Sequence, residues 1–97
     1  MSTLKIRWTN QAKEALKNIY DYYKDKSLQG ALNVRSDLLN SPKTIFFAKQ
    51  YQVDEINPLY RRIVVRDYKV LYKEEQGDII IMDVVSTKQS PEVLKDK

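Results

Sequence analysis

Residues 60–85 read YRRIVVRDYKVLYKEEQGDIIIMDVV, and the parsing of this stretch decides the fold. It falls into three β-rich runs, 60–65, 68–74 and 78–85, each dense in the branched and aromatic side chains that suit a pleated surface. Short turns at Arg66-Asp67 and Gln76-Gly77 separate them, which makes two consecutive hairpins. The third run is apolar on both faces through Ile79-Ile80-Ile81-Met82, the pattern of a central strand covered on both sides. A two-residue turn at Arg66-Asp67 sets Val65 opposite Tyr68, Ile63 opposite Val70 and Arg61 opposite Tyr72. That face is then core-directed, and Arg62, Val64, Lys69, Leu71 and Lys73 occupy the other. Arg66-Asp67 lacks the Gly or Asn that accepts positive φ, and a turn one residue longer would put Arg61 beside Lys69 instead. Lys69 and Lys73 share the open face in either register.

Upstream, Leu4, Ile6 and Trp8 alternate with Lys5, Arg7 and Thr9, the period-two signature of a half-buried strand. Thr9 or Asn10 can cap a helix whose stripe runs through Ala12, Ala15, Leu16, Ile19, Tyr20, Tyr22 and Tyr23 and which ends near Lys26. Ser27 can cap a second helix with apolar positions at Leu28, Ala31, Leu32, Leu38 and Leu39, stopped at Pro42. Residues 43–59 carry no clear period; a helical tail through Ile45-Phe46-Phe47 and then a loop to Asn57-Pro58 is expected. Ser90-Pro91-Glu92 reads as cap, first-turn proline and first-turn acid of a short closing helix. The order is strand, two helices, three strands: an α+β fold in which two helices cover one face of a mostly antiparallel four-stranded sheet. The other sheet face is left for function.

The 97 residues form a single expected domain, 1–97, with 42% apolar and 31% charged residues, far from the composition of a disordered chain. Such a chain buries only ~60–65% of its unfolded surface, so its stability margin is thin and a permanent partner would add to it. No cysteine is present, which excludes disulfides and thiolate metal sites. No histidine is present either, which removes the usual neutral-pH general base and the commonest metal ligand together. The scattered carboxylates give no metal set, Asp54-Glu55 reads as a solvated loop, and two glycines, Gly30 and Gly77, cannot build a phosphate-cradling loop; no cofactor is expected. The longest apolar runs fall well short of a bilayer span and the N-terminus lacks the form of a signal peptide, so the expected location is the cytoplasm, with no membrane partner.

The net charge of +4 is unevenly placed. Between residues 60 and 73 five cations (Arg61, Arg62, Arg66, Lys69, Lys73) face one anion, Asp67; elsewhere cations and anions are equal. A block of this kind attracts a polyanion or an acidic protein, although strands also expose Lys and Arg simply to meet water. The tyrosines Tyr20, Tyr22, Tyr23, Tyr60, Tyr68 and Tyr72 could stack on bases, but packing is the commoner use. Asp83, inside an apolar strand, is expected to pair with a nearby cation.

The strand pair of residues 60–73 resembles that of the RelE/ParE superfamily of toxins, in which a "YR" strand leads into a "Y-[KR]-V-x-Y" strand. The run of residues 79–85 and the following Thr87-Lys88-Gln89-Ser90-Pro91-Glu92 resemble the family's "V-x-x-T-R-Q-x-P" ending, and Trp8-Thr9 with Ala12, Leu16 and Ile19 resembles its opening. The resemblance covers some 90 residues. It implies a curled sheet with two helices on one side, and a role as the toxin of a type II toxin–antitoxin pair that arrests growth, as in plasmid stabilisation, and is held in a hetero-oligomer by a cognate antitoxin protein. It implies one of two targets, DNA gyrase for ParE-type toxins or messenger RNA on the ribosome for RelE-type toxins.

RNA cleavage through the 2′-hydroxyl needs a base, cations for the crowded phosphate and an acid for the departing oxygen. By resemblance to the RelE-type pattern, Arg61 stands for a lysine, and Lys69 and Lys88 stand for arginines; these three are the catalytic candidates if the chain is an enzyme. The pattern's second lysine falls near Ile63 and its C-terminal tyrosine at Leu94, so the proton-transfer groups are missing. The ParE-type reading is therefore favoured, with the target-binding set Arg61, Arg62, Arg66, Lys69, Lys73 and Lys88. The alternatives are the ribosome-dependent nuclease and an inactive, antitoxin-binding remnant of the same fold.

Overall fold

A computed structural model of the chain describes residues 4–88. The expected closing helix at Ser90-Pro91-Glu92 and the position of Leu94 lie outside the described residues. Strand β1 (Lys5–Trp8) runs straight into helix α1 (Asn10–Lys24). Thr9 makes that junction: its hydroxyl accepts from the Ala12 amide at 3.1 Å, capping the helix, and donates to the Ile81 carbonyl at 2.9 Å, tying the helix start to the central strand. Helix α2 (Leu28–Asn40) is capped by Ser27, whose hydroxyl accepts from the Gly30 amide at 3.0 Å. Pro42 then tightens the chain into a short 3₁₀ turn, Ser41–Thr44.

Strands β2 (Arg61–Val65), β3 (Tyr68–Glu75) and β4 (Asp78–Ser86) complete a four-stranded sheet in the order β1-β4-β3-β2. β1 lies parallel to β4 and the other pairings are antiparallel, so β4 is an interior strand, as its two-sided apolar run required. The register is the one given by the two-residue turn, with Val65 opposite Tyr68, Ile63 opposite Val70 and Arg61 opposite Tyr72. A bulge shifts the β3–β4 register between Leu71 and Tyr72, leaving Met82 as the extra residue and increasing the local twist.

One face of the sheet, through Ile63, Val70, Tyr72, Ile79, Ile81 and Val84, packs on Ala12 and Leu16 of α1, Val34 and Leu38 of α2, and Ile45. This is the expected two-layer α+β fold. At the level of single positions α2 differs from the sequence reading. Leu28 and Leu32 are exposed, and Ala31, Val34 and Leu38 form its inner stripe, because steps of three and four residues keep those three on one side. The expected helical tail at Ile45-Phe46-Phe47 is also corrected: the chain leaves the 3₁₀ turn in extended geometry at Ile45 and folds into irregular turns.

Arg66 adopts φ 56°, a left-handed conformation that costs a residue with a side chain about 1–2 kcal/mol. Its guanidinium reaches Asp37 of α2 at 2.7 Å, an exposed ion pair worth no more than about 1 kcal/mol. Arg66→Gly should relieve the first and lose the second, changing unfolding free energy by less than about 1 kcal/mol in either direction. A denaturant midpoint shifted further would mean that the Arg66–Asp37 pair holds the hairpin to the helix layer more strongly than exposed pairs do.

Candidate target-binding surface

The alternation of β2 and β3 places Arg62, Val64, Lys69, Leu71 and Lys73 on the sheet face away from the helices, as expected. That face is not a bare cationic plane. Leu71 and Ile80 on it are buried, and Lys69 is only 9% exposed. The expectation that Lys69 stands open to solvent is therefore corrected, and the cause is Asp54. The carboxylate of Asp54, itself buried, accepts from the Lys69 ammonium at 2.7 Å through Oδ1. Its other oxygen accepts from the amides of Ile56 at 3.1 Å and Asn57 at 2.8 Å. Burial alone would push this carboxyl up, but the Lys69 ammonium and the two amides outweigh burial and hold it below the usual aspartate range. Asp54 is thus no solvated loop residue. One carboxylate both shapes residues 54–57 and neutralises the central cation of the basic block.

Both arginines of β2 are engaged by the same loop. Arg61 faces the helix side, opposite Tyr72, and donates to the Tyr51 carbonyl at 2.7 Å. Arg62, on the open face, donates to the Val53 carbonyl at 2.9 Å and to Gln52 Oε1 at 3.2 Å. Residues 52–54 run along the outer edge of β2, with the Arg62 amide bonded to the Gln52 carbonyl and the Asp54 amide to the Tyr60 carbonyl, so this edge is covered by the chain itself. Arg66 sits at the hairpin tip against Asp37, and Lys88 beyond β4 lies 3.8 Å from Asp67. Lys73 is half-buried beside Arg61, Tyr72 and Glu74 at a cavity of about 220 Å³. The six candidate cations therefore occupy both sheet faces, a hairpin tip and the strand end, and do not converge on one point.

Two of the groups considered for chemistry are engaged otherwise among the described residues. The Lys69 ammonium serves as counter-ion to a buried carboxylate, and Asp83, expected to pair with a cation, instead accepts from Gln11 Nε2 at 2.9 Å and from the Val84 amide. Ile63, near which the nuclease pattern calls for a lysine, is buried in the core. Tyr72 is fully buried, donating to the Ala48 carbonyl at 2.8 Å, and the Tyr68 hydroxyl meets that of Tyr23 at 3.3 Å, so these two are packing residues. Burial pushes the hydroxyls of both Tyr68 and Tyr72 up, which keeps them protonated. Among the described residues no three potential ligands gather as a metal set, and no helix is long and apolar enough to cross a membrane.

The residues whose roles the sequence pattern does not display lie in the aperiodic segment 45–60. Asp54 was legible in principle, since an Asp ahead of Asn57-Pro58 suits the local turn in which a carboxylate accepts amides two and three residues on. Phe46, Phe47 and Leu59 in the same segment are exposed.

The sequence model of the family described as "ParE toxin of type II toxin-antitoxin system, parDE" matches residues 6–91. A search of curated protein sequences finds no match. Among solved structures, a chain of the chromosomal ParDE toxin–antitoxin system from P. aeruginosa superposes with a TM-score of 0.71 at 20% identity, covering 86% of this chain and 95% of that one. The conserved hypothetical protein HP0894 from Helicobacter pylori gives a TM-score of 0.57 at 14% identity over 90% of this chain and 98% of its own. At these identities the two structures speak for the fold, and the family match over almost the whole length carries the assignment. With strand order, helix placement and sequence pattern in agreement, the chain belongs to the ParE toxin family of type II toxin–antitoxin systems, within the RelE/ParE superfamily.

Proposed function

We propose that this toxin arrests growth by inhibiting DNA gyrase and not by cutting RNA, and that a cognate antitoxin protein restrains it in a hetero-oligomer. The observation that carries this reading is the Lys69–Asp54 pair. The side chain at the centre of the basic strand pair is spent as the counter-ion of a buried carboxylate, so it is withheld from a scissile phosphate. The burial of Ile63 and the absence of histidine from the whole chain support the same reading, since the usual base is missing and the position near the pattern's second lysine lies in the core. An antitoxin partner is supported by the family and by the toxin–antitoxin origin of the P. aeruginosa neighbour. A gyrase target would place the protein in the cytoplasm.

On this reading Arg61, Arg62 and Lys69 act mainly by holding the 45–60 loop, and Arg66, Lys73 and Lys88 supply the charge that steers the toxin to its target. The purified toxin should block ATP-dependent supercoiling of relaxed plasmid by gyrase, and should leave ribosome-bound message uncut in a translation reaction. Cuts at fixed codon positions with supercoiling unaffected would replace this reading with the ribosome-dependent nuclease. A folded protein that does neither, and fails to arrest growth, would be the inactive remnant.

A further inference from the structure

Among the described residues the most exposed large apolar side chains are Leu59 at 85% and Phe46 at 82%, and Phe47, next in sequence to Phe46, is 58% exposed. All three belong to the segment between the 3₁₀ turn and β2. Leu59 lines the 220 Å³ cavity together with Ala48 and Lys49, which places it next to the turn that carries the two phenylalanines. Single exposed apolar residues need no explanation, but two aromatics and a leucine left exposed by one segment, with Leu59 at the turn that follows the phenylalanines, are the kind of feature that marks a contact site.

The loop is also built to hold them out. The Gln50 side chain accepts from the Phe46 amide at 2.7 Å and donates to the Thr44 carbonyl at 2.9 Å, and the Gln50 amide bonds to the Phe47 carbonyl. Thr44 and Tyr51 share a hydroxyl hydrogen bond at 2.7 Å, Tyr72 holds the Ala48 carbonyl from below, and Ile45 is anchored in the core. A turn whose polar groups are satisfied this way keeps its conformation without the phenylalanines packing inward, so little ordering entropy is left to lose on binding.

We infer that the loop bearing Phe46, Phe47 and Leu59 is the surface by which the toxin grips its protein target, inserting these side chains into an apolar cleft edged by carboxylates. The charge around the loop selects that partner. Lys49 on the loop, Lys43 in the preceding 3₁₀ turn, and Arg61 and Lys73 beside the cavity outnumber Glu55 on the loop and Glu74 at the cavity, Asp54 being taken up by Lys69. A protein partner is favoured over nucleic acid because Leu59 has no π-face to stack and an aliphatic tip gains only from an apolar cleft.

The inference rests on the gyrase reading for the identity of the target, and the experiment separates the two. The Phe46→Ser/Phe47→Ser variant and Leu59→Ser remove exposed groups and should unfold within a few degrees of wild type. Each is expected to raise the toxin concentration needed for half-inhibition of supercoiling by roughly 10- to 100-fold, and to restore growth when expressed in a sensitive host. If wild type inhibits gyrase and both variants match it within twofold, the loop is not the grip and the gyrase reading stands. If wild type leaves gyrase untouched, the gyrase reading falls and growth arrest decides. Loss of arrest in folded variants keeps the loop as the contact for another protein, and unaltered arrest overturns it. Weakened binding of a labelled RNA oligonucleotide by the variants, or a wild-type dimer that the variants dissolve without loss of inhibition, would overturn it as well.

Discussion

Asp54→Ala should destabilise the domain by about 3–5 kcal/mol, the cost of leaving one member of a buried ion pair without its partner. For a chain of 97 residues that is a fall in Tm of roughly 15–30 °C. Two effects combine: the Lys69 ammonium, 9% exposed, loses its counter-ion, and the amides of Ile56 and Asn57 lose their acceptor. They can be separated. Lys69→Met with Asp54→Ala removes the orphaned charge but not the orphaned amides, so the double variant should recover part of the loss, the remainder being about 1 kcal/mol or more per amide. Equal stabilities for wild type and Asp54→Ala in a denaturant titration would show that Lys69 reaches water as easily as it reaches Asp54.

The same carboxylate sets a direction for pH. Its folded form holds a proton less tightly than an unfolded aspartate does, because Lys69 and the two amides outweigh the effect of burial. As the pH falls, the unfolded chain therefore takes up the proton first. The contribution of Asp54 is fully present above about pH 5, and drains away below the unfolded value of about 3.9 as the pH falls through the depressed folded value. Asp54→Asn should flatten the acid limb of the stability curve. An acid limb of unchanged steepness in that variant would assign the loss to other carboxylates.

What could be read from the sequence follows the range of the interactions involved. The hairpins of β2, β3 and β4 were legible because period two and turn residues are local, and even the unfavourable Arg66-Asp67 turn formed once both flanking strands demanded the tight register. Thr9 and Ser27 were legible as caps for the same reason. The burial of Lys69 was not, because its partner lies 15 residues away in a segment with no period, and a basic strand face looks alike whether or not a loop carboxylate folds onto it. Helix α2 was read with Leu28 and Leu32 in its stripe because hydrophobicity alone does not say which arc meets the sheet; Val34, one turn from both Ala31 and Leu38, does. The candidate cations are visible in the sequence, yet the use of Arg61 and Arg62 as loop staples depends on backbone carbonyls that no residue pattern displays.

Ile63→Lys should come close to unfolding the protein, and the reason bears on how the family's chemistry is divided. Ile63 sits in the second strand with its side chain among the buried residues shared by helices and sheet, opposite Val70. An ammonium there must be desolvated, neutralised, or drawn out by shifting β2, and each route costs several kcal/mol against a total stability of about 5–15 kcal/mol. Ile63→Val, which removes only one methylene, should cost about 0.5–1.5 kcal/mol and serves as the control. Circular dichroism and thermal melts of the two variants give the comparison; a lysine variant melting within about 5 °C of wild type would mean that position 63 can turn to the open face. The consequence is functional, because a lysine near this position is what the nuclease pattern asks for. In this chain the position is committed to holding the two layers together, so placing a lysine there by a single substitution would dismantle the sheet that has to present it.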